Sequence, residues 1–410
     1  MIITKTQYFA KADKDEDYEE SPWSLNSRNA SNIYDVLANL HKRRDNINKG
    51  GINCIPFVGL NTFNKYLPGV EQEQFVVITA STKIGKTQIS TYLYIYNVLE
   101  YCFTHQDQCS CHIIYIPLEE STSRITERYM SHLLWQLDGI RISPADLRST
   151  STEKPVPQNV LELLETKPYK DRLEFFDKCV EFDTEDYNPT GIRNRCIDYA
   201  KTVGTIKSHK VPSGSDPTQE VEVFDEYIPN NPNHFKILFL DHLSLIDNEK
   251  GMNKKQSMDK LTEYCVKYLR NRYKYTCVIV QQQAFEQEGI EAIKQKNIMP
   301  TLAGLSDSKY SSRDSNVVLG LFSPNKFGLD TWLGYDIKRL GSYARFVKIL
   351  AARDYEGDVS FGFFFDGATC SFKELPKPDN IAELDKVYTE ANNLRNNKTN
   401  KTVVLTMLII

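Results

Sequence analysis

The segment Ala80-Ser81-Thr82-Lys83-Ile84-Gly85-Lys86-Thr87 has the residue types and the spacing of a phosphate cradle. Holding a di- or triphosphate takes a loop whose amide N–H groups turn inward, a flexible glycine ahead of a lysine, an ammonium for the β- and γ-phosphates, and a hydroxyl for Mg²⁺. Gly85, Lys86 and Thr87 supply the last three, and a helix opening through Gln88 adds its positive N-terminus. The first position holds Ala80 where the general pattern has glycine. Two acids complete a hydrolysis set for ATP with Mg²⁺. Asp241 ends the apolar run 237–240 and is placed to orient the hydration shell of Mg²⁺; Glu119 ends the run that begins at Ile113 and is placed to polarise an attacking water. A further run, 277–280, ends in Gln281, Gln282 and Gln283. An amide there can sense a γ-phosphate; one of the three is expected to do so, with the others facing solvent or starting a helix.

Each of these groups needs a strand to deliver it. Apolar runs at 75–79, 113–116, 237–240, 277–280, 317–322 and 346–350 alternate with long amphipathic stretches, which predicts a largely parallel central sheet flanked by helices, an α/β fold. Residues 121–203 are expected to be mostly helical. The polar insertion at about 204–234 is expected on the surface, with a hairpin around 221–227. Upstream, Ile33, Val36, Leu37 and Leu40 repeat at helical spacing behind Ser31 or Asn32 as cap, run into the basic stretch His41-Lys42-Arg43-Arg44, and stop at the Gly50-Gly51 pair. This short linker helix is expected to pack on its own domain or to dock on a neighbouring subunit. The expected division is an arm and linker helix over 1–56, an ATPase domain over 57–375, and a tail over 376–410 whose Asn- and Lys-rich part, 391–402, is unstructured.

Composition narrows the rest. With 40% hydrophobic and 25% charged residues, the 410-residue chain falls outside disordered, collagenous and membrane-embedded classes. A formal charge of −4 gives no global basic surface, so a nucleic-acid partner must be met by local loops. Nine cysteines without a regular framework, and a charged start without a secretory pattern, predict a reducing cytoplasm and no membrane. Cys102, His105, Cys109, Cys111 and His112 crowd together at a spacing that fits no common zinc site. Phe361, Phe363, Phe364 and Phe365 are expected in a core strand.

Taken in order, these motifs resemble the C-terminal motor domain of DnaB-family replicative helicases, over about residues 58–372. That family also carries Ala at the first position of its phosphate loop. Leu118-Glu119 is similar to its S-L-E-M motif, making Glu119 the catalytic glutamate, with Arg128 at its downstream arginine. Asn188-Pro189-Thr190-Gly191-Ile192-Arg193 is similar to T-P-T-E-V-R, Asp241-His242-Leu243-Ser244-Leu245 to D-Y-L-Q-L, and Gln282 falls on the glutamine of S-Q-L. Phe57-Val58-Gly59-Leu60-Asn61 resembles the turn that leads the family's linker into its motor. The resemblance implies a RecA-type P-loop fold, ATP and Mg²⁺ as cofactors, a homo-oligomeric ring, a hexamer, 5′–3′ movement on single-stranded DNA, and primase or other replisome proteins as partners. It also implies DNA contacts from two loops, 248–256 with Lys250, Lys254 and Lys255, and 285–296 with Lys294 and Lys296. A compact phage-like form in a bacterial host's cytoplasm, without the family's amino-terminal domain, is expected.

There are departures. The family's K-x-R finger, which reaches the γ-phosphate held by the adjacent subunit, reads Ala351-Ala352-Arg353 here, keeping the arginine and losing the lysine. Lys348, three residues earlier, falls on the other face of a regular strand. Ser306 replaces an arginine ahead of Asp307-Ser308. Two alternatives therefore stand beside the helicase: a non-unwinding ATP-binding scaffold or loader, and a RecA-like recombinase filament.

Overall fold

The apolar runs extend into strands buried on both faces, as a sheet covered by helices on two sides requires: all six residues of β1 (Phe75–Ala80) are buried. The computed structural model describes residues 33–185, 187–212, 220–283, 298–305 and 309–399. In chain order the next strands are β2 (Ser110–Pro117), β3 (Val180–Phe182), β4 (Gly204–Pro212), β5 (Glu220–Pro229), β6 (His234–Asp241) and β7 (Tyr275–Gln282). They are followed by β8 (Val317–Phe322), β9 (Thr331–Trp332), β10 (Tyr335–Asp336), β11 (Ala344–Ala352), β12 (Ser360–Asp366) and β13 (Ser371–Glu374). Nine of them form one sheet in the order β13-β12-β11-β8-β1-β7-β6-β2-β3. From β8 to β3 every neighbour is parallel, while β11, β12 and β13 add on antiparallel. All six expected strands are present in this sheet. β3 was not expected; its three residues close the far edge beside β2.

The phosphate loop feeds one continuous helical rod, α-helical over Lys86–Thr91, π-helical over Tyr92–Tyr96 and α-helical again over Asn97–Thr104. Thr122–Asp138, Lys167–Cys179 and Pro189–Thr202 account for most of the stretch expected to be helical. The phenylalanine run is core, as expected. Phe361, Phe363 and Phe365 join the main cluster, while Phe364 turns to a second cluster with Phe322 and Phe346. Alternation along β12 therefore fills both faces of the sheet.

Three expectations change. The tail is helical over Ile381–Thr399 instead of losing structure at 391, because Leu384, Tyr388 and Ala391 bury against that second cluster. The insertion is a longer ribbon than expected, β4 paired with β5, with Lys210–Glu220 at 3.2 Å and His209–Asp225 at 2.6 Å. The upstream helix runs Ile33–Asn48, carrying straight through the basic stretch; its expected caps, Ser31 and Asn32, lie outside the described residues. By compactness the chain separates into two units, residues up to Lys49 with Ser208–Asp225, and Gly50–Lys207 with Glu226 onward. Among the described residues no helix is long and apolar enough to cross a membrane.

Candidate active site

Parallel pairing brings the chemistry to one place. Ala80 stands in register with Gln282 on one side and Leu321 on the other, and Asp241 with Pro117 and Val280, so β1, β2, β6, β7 and β8 all end at the same sheet edge. Open α/β sheets bind ligands at such an edge.

The loop leaving β1 turns sharply. Lys83 has φ 58° and Gly85 φ 98°. The backbone angle favours glycine here, and a Cβ on Gly85 would press on Phe365 Cζ at 3.2 Å. Arg345 props the loop from below: its Nε donates to Ile84 O at 2.6 Å, its Nη1 to Ser323 Oγ at 3.1 Å and Ser342 O at 2.8 Å, and its guanidinium lies 4.8 Å from the Phe365 ring centroid. Burial brings the Arg345 pKa down to about 10, which leaves it charged at neutral pH. Gln88 donates to Gly367 O at 3.2 Å and so braces the helix start on the β12–β13 turn. Lys326 donates to Thr82 O at 2.9 Å.

Asp241 is buried and accepts from the Thr87 hydroxyl, while its Oδ1 has no protein partner. Burial pushes its pKa up to about 6, against the Thr87 hydrogen bond and the Lys86 charge, which lower it; Glu119 and Glu120 add repulsion. Lys86, Thr87, Asp241 and the two glutamates are thus one electrostatic cluster. A buried carboxylate oxygen left unpaired beside a threonine hydroxyl fits a hydrated divalent cation, since oxygen donors and a partial shell of water are what Mg²⁺ takes.

Leu118 N donates to Asp241 O at 3.0 Å, which carries the following acids to the cluster. Glu119 is exposed. Arg128, at the position of the family's downstream arginine, pairs with Glu120. Among the glutamines, Gln282 lies half-buried at the strand end beside Ala80. Its neighbours neither face solvent nor start a helix. Gln281 accepts from Ser311 Oγ at 2.7 Å, and Gln283 donates to Thr79 Oγ1 at 2.9 Å and Thr301 O at 3.2 Å, both from buried positions.

Arg353 is elsewhere. β11 runs antiparallel to β8, with Ala352 opposite Val317, so Arg353 follows at the amino edge of the parallel strands. Its Nε donates to Ser315 O at 2.9 Å and its Nη2 to Arg313 O at 3.1 Å. The face argument against Lys348 does not hold. The ladder steps from Ile349–Leu319 straight to Ala351–Val318, a bulge that skips Leu350 and puts Lys348 and Ala351 on one face. Lys348 is nevertheless committed to Asp358 at 2.5 Å.

Of the loop lysines, Lys250 and Lys255 are exposed, whereas Lys254 bonds back to Ile246 O at the start of the helix Lys254–Tyr264. Lys294, Lys296, Ser306, Asp307 and Ser308 lie outside the described residues.

Two solved structures share this fold. One, solved as an ATPase domain, superposes with TM-score 0.57 at 12% identity, covering 85% of this chain and 100% of that one. A DnaB-like replicative helicase, solved for its interactions with primase, gives TM-score 0.57 at 12% identity, over 85% of this chain and 68% of that one. The fold is the RecA-type fold of these two structures. By sequence, no protein-family profile and no curated protein matches the chain. On this RecA-type sheet, sequence reasoning missed Arg345 and Lys326, which come from beyond β8 to a loop more than 240 positions earlier. No local spacing could have announced either contact.

The raised Asp241 pKa has a stability consequence. Unfolded, the carboxyl titrates near 3.8, so burial favours the protonated form, and this contribution is lost as pH climbs through about 6. Asp241→Asn, melted without nucleotide, is expected to exceed the parent chain by about 3 kcal/mol above pH ~7, the gap narrowing as pH falls below ~6. Equal gaps at all pH values would remove burial as the cause.

Proposed function

We propose that this chain is an ATP-hydrolysing motor that assembles as a homo-oligomeric ring, a hexamer, and moves along single-stranded DNA. One observation carries this: Lys86, Thr87, Asp241 and Glu119 converge at one sheet edge while Arg353 stands at the opposite one. Lys86 neutralises the phosphates, Thr87 and Asp241 hold a hydrated cation, Glu119 takes up the proton of the attacking water, and Gln282 registers the terminal phosphate. Mg²⁺ held there by Thr87 and Asp241 would supply neutralisation of the phosphate charge. Arg353, unable to reach its own loop, serves the site of the next copy.

Lys250 on the exposed loop after β6 and Lys255 in the first turn of the helix Lys254–Tyr264 carry basic charge that repetition around a ring gathers into a track for a phosphate backbone, without reading bases. Polarity from 5′ to 3′, partnership with primase or other replisome proteins, and residence in a bacterial host's cytoplasm rest on the resemblance. The helix Ile33–Asn48 suits a linker docking on a neighbouring subunit.

A non-unwinding scaffold is the second reading, favoured by Ala351 and by the engagement of Lys348 with Asp358. Particle mass with and without a nonhydrolysable ATP analogue and single-stranded DNA separates the two. A hexamer is expected. A monomer in every condition would favour the scaffold, and an indefinite filament a strand-exchange protein.

A further inference from the structure

The turn Pro324–Phe327 leaves the carboxyl end of β8, beside β1, and reaches over the phosphate loop. Its backbone is held firmly: Pro324 is buried at its start, Gly328 closes it at φ 68°, Phe327 stacks on Phe322 with centroids 5.5 Å apart, and Ser323 before it bonds Arg345. Lys326 itself is exposed, and its Nζ donates to Thr82 O at 2.9 Å and lies 3.4 Å from Thr82 Oγ1. A flexible four-carbon stem on a fixed turn thus delivers an ammonium to the mouth of a loop built for polyphosphate.

We infer that Lys326 contacts the terminal phosphate of a nucleoside triphosphate bound in its own subunit and so distinguishes triphosphate from diphosphate. This rests on the proposed nucleotide site. The Thr82 carbonyl and hydroxyl are neutral acceptors, whereas a phosphate oxygen gives a charge-assisted hydrogen bond about twice as strong, so the ammonium transfers to phosphate when one arrives. Electrostatics favour the same outcome. The site edge carries Asp241 and Glu119 besides Glu120, which Arg128 already offsets, and Lys86 together with one Mg²⁺ would still fall short of balancing the two remaining acids and a triphosphate. Lys326 supplies a second cation in cis.

The test is equilibrium titration of the full chain, with Mg²⁺, using a fluorescent nonhydrolysable ATP analogue and fluorescent ADP. Lys326→Met is expected to weaken the triphosphate analogue on the order of ten- to a hundredfold, the range for hydrogen bonds to charged groups, with ADP changed by less than about twofold. Lys326→Arg should retain most of the discrimination, and melting of each variant without nucleotide shows that the fold is kept. Lys326→Met binding both nucleotides like the parent, or losing both equally, overturns the assignment while leaving the phosphate loop in place. A parent chain that binds neither nucleotide overturns the nucleotide site together with it.

Discussion

Lys86→Ala is expected to abolish ATP turnover, a loss on the order of a thousandfold, without lowering the melting temperature of the nucleotide-free chain. The ammonium opens the helix Lys86–Thr91 at the edge where Asp241 and Glu119 also act. Nothing else in the loop carries its charge to that position, since Arg345 is spent beneath Ile84 and Lys83 is exposed. Removing Lys86 also takes from the bound phosphates the ammonium nearest them, so binding of nucleotide falls along with turnover. Glu119→Gln separates the two effects: the amide keeps the shape and loses the proton acceptor, so nucleotide binds and persists unhydrolysed. Both are read by phosphate release and by filter retention of labelled ATP. Normal hydrolysis by Glu119→Gln would move the role of base to Glu120, although the engagement of Glu120 with Arg128 argues against that.

The second large effect concerns Arg353. Its alanine variant is expected to lose at least about a thousandfold in turnover, the scale of arginine fingers. Mixing it with Lys86→Ala subunits should restore part of the activity, because a mixed ring contains junctions with an intact loop on one side and an intact arginine on the other. Two defects within one chain's own site could not complement each other. A mixture that assembles and stays inactive would show that Arg353 does not act across an interface, and would favour the scaffold.

Much of this site was legible in the sequence because its parts are local. A strand buried on both faces is a continuous apolar run, and a functional acid at its end interrupts that run abruptly, as Asp241 does after Phe239 and Leu240. The glycine before Lys86 is fixed by a backbone angle that few other residues adopt. What stayed hidden depends on distant chain. Arg345 and Lys326 meet the loop only through sheet order, β11 and β8 being laid down long after β1. β3 is too short to show a period. The bulge at Leu350 reverses facing parity without any glycine or proline to mark it. The last helix did leave a signal in Leu384, Tyr388 and Ala391, spaced to share one helical face, but the Asn- and Lys-rich composition around 391–399 obscured it.

With the phosphate loop and Arg353 at opposite edges of one sheet, the proposed role of Arg353 in a neighbour's site would make turnover a matter of mass action. A dilute subunit would then hold nucleotide without the charge that speeds its breakdown, and idle. Output per molecule would climb with protein concentration, and steeply wherever copies gather on one strand. ATP consumption would thereby be confined to places where enough copies have met, with no separate inhibitor needed to keep the dispersed protein quiet.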